Sequence, residues 1–230
     1  VTLALCFVLS HGVTVNDINQ LRIELREEFD SKFETTPWGF QWRPLLATTV
    51  RLSFHDCSGP GEAGSTEIAQ CNGCVDFQNS DHAGLQTGAV EPLEDIFRSG
   101  WDQSMSRADF WAAAGTIAIE YAQELAADSD LLRDIPYYFG REDCGDEAGD
   151  AQDTKSFVSA LGDWEETQKW FNDNLGWTDQ QIVAIMGAHT LGVAHSGASG
   201  FMDMSWVSSP DKLNNQYYID LVDVEANSFK

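Results

Sequence analysis

Basic residues are scarce in this chain: 13 Lys and Arg stand against 37 Asp and Glu in 230 residues, a formal net charge of −24. Such a surface repels phosphate backbones and anionic lipid headgroups, which excludes general nucleic-acid binding and adhesion to anionic membranes. No apolar run reaches the roughly 20 residues of a membrane span. Runs of β-branched residues with strict alternation are also missing, so there is little to build a sheet from. There is no internal repeat. What is present is a core: 43% of residues are apolar, including 13 Phe, 8 Trp and 5 Tyr. The length suits one substantial domain or two small ones.

The first nine residues, Val1 to Leu9, are almost wholly apolar and are followed by Ser10-His11-Gly12. A short apolar run ending in small residues reads as the core of a secretory signal. Residues 1–12 are therefore expected to be a signal remnant, residues 13–230 the folded domain, and the protein secreted. Cys6 falls inside that remnant, leaving Cys57, Cys71, Cys74 and Cys144. Four cysteines in an exported chain suggest two disulfides, with three pairings open. Cys71 and Cys74 also form a CxxC, but a structural zinc site needs a second ligand pair at similar spacing, and none stands out.

Helical signals dominate. Ile18, Leu21, Leu25 and Phe29 recur at three- and four-residue steps. Arg43 to Cys57 forms a second helix, with Pro44 suited to its first turn. Ser58 to Ser65 is a Gly/Ser-rich loop. Ser106 and Asp109 have capping-box spacing, flanked by Met105 and Phe110 as a staple, and open a long Ala-rich helix from Ala112 to Ala127. Asp163 to Leu175 is an amphipathic helix stopped by Gly176. Thr178 and Gln181 repeat the capping box and start a helix that runs to His189. The acidic stretch Glu142 to Asp153 reads as a surface loop. The fold class is all-α with long irregular connections.

Two segments carry chemistry. In Arg51-Leu52-Ser53-Phe54-His55-Asp56-Cys57, Arg51 and His55 lie four apart on one helical face. A fixed cation beside a histidine lowers its pKa and keeps the ring neutral, which makes it a general base next to an electrostatic stabiliser. In Gly187-Ala188-His189-Thr190-Leu191-Gly192, one histidine stands among small residues at the end of an apolar face. With no Cys or carboxylate at ligand spacing, it suits axial ligation of haem better than zinc. Gly187 and Ala188 are expected to leave room for a flat group.

The first segment resembles the distal motif of the plant, fungal and bacterial haem peroxidase superfamily, and the second resembles its proximal motif. Ala83-Gly84-Leu85, Ser106 to Asp109 and Gly140-Arg141 also stand where that family has similar residues, so the likeness runs from about residue 16 to 225. It implies an all-α haem peroxidase fold, with haem b held between a distal half (Val13 to Phe139) and a proximal half (Gly140 onward). His189 would be the iron ligand. His55 would move a proton of hydrogen peroxide, Arg51 would stabilise developing charge, and Phe54 would wall the distal pocket. Hydrogen peroxide and a small reducing donor are the implied partners. A haem-binding storage or sequestering protein of weak activity is the alternative. Phe54 matches the secreted branches, whereas His195, Ser199-Gly200-Phe201 and Trp206 resemble the ascorbate and cytochrome c group, with Trp206 as the proximal tryptophan.

The resemblance also implies departures. His82 occupies the place of an asparagine whose carbonyl accepts the N–H of the distal histidine; a neutral imidazole accepts through one nitrogen only. Asp56 and Thr190 match calcium ligands, but Asn72, Cys74 and Asn214 replace better ones, so calcium would bind weakly. The Asp that partners the proximal histidine would fall at or past Lys230, which implies a haem site not completed within the given sequence. The family's cysteines, with the even count and the loop placement, imply Cys57–Cys71 and Cys74–Cys144 pairs.

Overall fold

The computed structural model describes residues 12–35, 39, 41–58, 71–126, 135–150 and 157–223. The apolar stretch at residues 1–11, most of the loop after Ser58, Ala127 and residues 151–153 of the acidic stretch lie outside these.

Helix α1 (Val15–Ser31) is fixed by a complete capping box between Thr14 and Asp17, and it buries Ile18, Leu21, Leu25 and Phe29, the stripe expected from their spacing. A two-residue ladder, β1 (Glu34–Thr35) with β2 (Gln41–Trp42), leads into α2 (Pro44–Ser58). A π-turn at Gln86–Val90 runs into α3 (Glu91–Phe97). Helix α4 (Arg107–Leu125) is rich in Ala and carries one Gly, Gly115, and this lets α2 come close. At Gly115 a Cβ would stand 2.4 Å from Ser53 Oγ, so any side chain there would push the two helices apart. The main core gathers α1, α2, α3 and α4, with Phe29, Leu46, Leu52, Phe110 and Ile117 fully buried.

The second half is looser. Helix α5 (Trp164–Leu175) is capped by Asp163 and stopped by left-handed Gly176. Helix α6 (Asp179–Met186) has the full Thr178–Gln181 box. It does not reach His189 as its apolar pattern suggests. It ends at Met186, and a 3₁₀ turn, Gly187–Thr190, carries the histidine. Small residues at 187 and 188 let the backbone tighten there. Strand β3 (Val193–Ala194) pairs with β4 (Met204–Ser205) around α7 (Ser196–Ser199), and α8 (Gln216–Val222) closes the described chain. Phe171, Leu175 and Ile182 form a small second cluster, against which Phe54 and Met186 pack.

The capping box expected at Ser106 is only half formed. Ser106 Oγ accepts from Asp109 N, but the Asp109 carboxylate turns elsewhere, accepting from Gly140 N at 2.6 Å, Arg141 N and Arg141 Nη1. The buried carboxylate thus ties α4 to the Gly140-Arg141 segment rather than closing its own helix end. The disulfides are Cys57–Cys71 and Cys74–Cys144, as implied.

Candidate active site

Helix α2 presents Arg51 and His55 to one space. Arg51 Nη1 donates to Ala83 O at 2.9 Å and Nη2 to Asp81 O at 2.8 Å, so the guanidinium is gripped by backbone carbonyls of the Ser80–Gly84 turn. Asn79 caps that turn by accepting from Asp81 N. The same turn buries His82, which is 3% exposed. His82 Nδ1 lies 3.0 Å from Asp76 O. A carbonyl only accepts, so Nδ1 carries a proton and donates it to Asp76 O. The His55 and His82 rings stand 5.2 Å apart at 76°. The hydrogen bond implied between them is not made: His55 Nδ1 is a buried nitrogen without a partner among the described residues. Burial, then the Arg51 charge, then His82, hold His55 well below the ordinary imidazole range. Its ring is therefore neutral and able to take a proton.

Aromatic rings surround this base. Phe54 meets His55 edge-on at 5.7 Å, and Phe157 lies closer, at 4.5 Å. Phe157 and Asp81 were not visible as site residues in the sequence. Asp81 had one signal, its place after a capping Asn beside His82; Phe157 had none.

His189 Nδ1 donates to Met186 O at 3.1 Å, which leaves Nε2 as a free lone pair. Burial lowers the His189 pKa first, and the Arg51 charge lowers it further. The Arg51 charge thus acts on both His55 and His189, so each lies within electrostatic reach of that guanidinium. Trp206 packs edge-on to His189 at 5.3 Å, and Tyr217 lies at 5.5 Å. The room expected beside Gly187 is taken on that glycine's side-chain face: a Cβ would stand 3.2 Å from the Tyr218 ring.

Asp56 and Thr190 are engaged in hydrogen bonds. Asp56 Oδ1 accepts from Asn72 N and Gly73 N, and burial pushes its carboxyl up to about 7. Thr190 Oγ1 donates to Asn214 O. Among the described residues no three His, Cys, Asp or Glu side chains gather to hold a metal ion.

The family model for peroxidases matches residues 26–228. The chain belongs to the peroxidase family, the haem peroxidase superfamily of plants, fungi and bacteria. It is 31% identical to the mitochondrial cytochrome c peroxidase of Neurospora crassa over 88% of this chain and 50% of that protein. The corresponding Aspergillus fumigatus protein is 36% identical over 76% of this chain and 44% of its own length. A cytosolic L-ascorbate peroxidase of rice is 30% identical over 78% and 65%. The chain thus spans about half the length of the first of these relatives. Their names, with a peroxisomal rice relative beside them, place them in mitochondria, cytosol and peroxisomes. The secreted location expected from residues 1–12 is overturned by this. A short apolar run and an even cysteine count are weak signals, which exported chains share with others.

Proposed function

We propose that the whole protein is a haem-dependent peroxidase that reduces hydrogen peroxide at the expense of a one-electron donor. The observation that carries the reading is the pairing of a neutral, buried His55 with a backbone-gripped Arg51 on one side, and His189 with a free Nε2 on the other.

The residues fit haem. His189 Nε2 would hold the iron, and its Nδ1–H is held by the Met186 carbonyl, the arrangement that orients a ligating imidazole. Phe54 and Trp206 supply apolar walls. When bound, haem would supply the redox chemistry. The chain's own part is proton handling and electrostatics. His55 takes the proton from one peroxide oxygen and returns it to the other. Arg51 faces the negative charge that grows as the O–O bond breaks. His82, its ring 5.2 Å from that of His55, would help to orient the base. A net charge of −24 favours cationic or neutral donors. The other reading, a haem binder of weak activity, is not favoured, because the distal base and cation are both assembled.

Full-length protein loaded with haem should show a Soret band that shifts on adding hydrogen peroxide and returns with a phenolic donor. A Soret band that peroxide leaves unchanged would leave only haem binding.

A further inference from the structure

His55 is screened by a ring that the peroxidase motifs do not include. The Phe157 centroid is 4.5 Å from that of His55, 5.7 Å from Phe54 and 5.9 Å from His82. At 4.5 Å two rings are in contact, with no space for a substituent between them. Two independent restraints hold Phe157. Its backbone N–H donates to Asp81 Oδ2 at 2.8 Å, while the carbonyl of the same aspartate accepts from Arg51. Behind it stands an aromatic ladder, Trp170 of α5 at 5.5 Å and then Phe171, with Trp177 beyond the helix end stacked on Phe171.

We propose that Phe157, clamped by Asp81, closes the distal pocket over His55 and restricts the oxidant to hydrogen peroxide, excluding hydroperoxides with bulky organic substituents. This rests on the peroxidase reading. A peroxide must bring its hydroxyl within about 3 Å of the base to be deprotonated. Hydrogen peroxide is small enough to share His55 with Phe157. A cumyl group attached to the second oxygen would need the volume the ring occupies. Removing the ring, or releasing its backbone from Asp81, should open that volume while leaving Arg51 on its carbonyls.

The test uses full-length, haem-loaded protein, with kcat/KM measured for hydrogen peroxide and for cumene hydroperoxide. Phe157→Ala should raise the cumene-to-hydrogen-peroxide ratio at least about tenfold, the scale on which apolar pockets discriminate by size. Asp81→Ala should move the ratio in the same direction. Because both oxidants need Arg51 and His55, the ratio cancels any general loss of activity. Ratios equal to wild type in both variants overturn the proposal. A second readout needs no turnover: deuterium exchange at the His55 C2–H, followed by mass spectrometry, should be faster in both variants, and unchanged exchange overturns the clamp. If no form of the protein consumes either peroxide, the peroxidase reading fails, and the exchange rates decide the clamp by themselves.

Discussion

His55 and His82 stand edge to face, 5.2 Å between ring centres, and the proton on His82 is committed to the Asp76 carbonyl. A hydrogen bond from His55 would have to reach the other ring nitrogen of His82, Nε2. An N–H···N bond of about 3 Å between two imidazoles needs roughly this centre-to-centre spacing, so a small rotation of the rings would suffice. His82→Asn, which keeps an acceptor, should react with peroxide at close to the wild-type rate. His82→Phe should lose about tenfold or more, part of the 10²–10⁴-fold that general acid–base help provides. Stopped-flow rates for the two variants decide it; equal losses would show that His82 only fills space.

The pH dependence follows from His55. Its pKa in the folded chain lies well below 6.5, chiefly through burial and then through Arg51. The unfolded chain therefore binds a proton below about pH 6.5 that the folded chain refuses, so this group's contribution to stability grows as pH rises towards 6.5 and is lost as pH falls through that window. The acid limb of kcat/KM for peroxide should lie below pH 6.5. Arg51→Gln should slow the reaction and shift that limb upward, towards the ordinary imidazole value. A limb that stays in place in a profile from about pH 4 to 8 would contradict the electrostatic coupling.

His189→Gly should abolish the histidine-ligated haem spectrum, and added imidazole should restore it. His55→Ala should keep the spectrum and lose about 10²–10⁴-fold in peroxide reactivity. The same spectral change in both variants would show that the two faces have been assigned wrongly.

Asp109 is 4% exposed and accepts three hydrogen bonds from Gly140 and Arg141. Asp109→Ala strands those donors and should cost about 3 kcal/mol, the scale for breaking a buried charged pair. Urea unfolding measures it; a loss below about 1 kcal/mol would mean that solvent satisfies the freed groups.

The helical frame was legible because local signals and burial agree: the Thr178–Gln181 box, the Gly176 stop and the Ile18-to-Phe29 stripe each act within a few residues. The two histidine motifs were legible for the same reason. What the sequence hid is long-range. Asp109 abandons its own helix end for a segment 31 residues on, and no local pattern distinguishes that choice from a capping box. The helix towards His189 was read one turn too long, because apolar periodicity cannot separate an α-turn from a 3₁₀ turn. Phe157 reaches His55 across 102 positions, and only packing brings it there. The secretory reading failed because composition at one end of a chain says little about its destination.

The Ser80–Gly84 turn holds Arg51 by two carbonyls and also carries His82. Cation and imidazole partner are thereby mounted on one bracket of five residues. A change that tilts this bracket moves the charge stabiliser and the imidazole beside the proton base together. Engineering or drift in that turn would then trade oxidant affinity against proton-transfer geometry as a single adjustable quantity, and variants that alter one alone must be sought on α2.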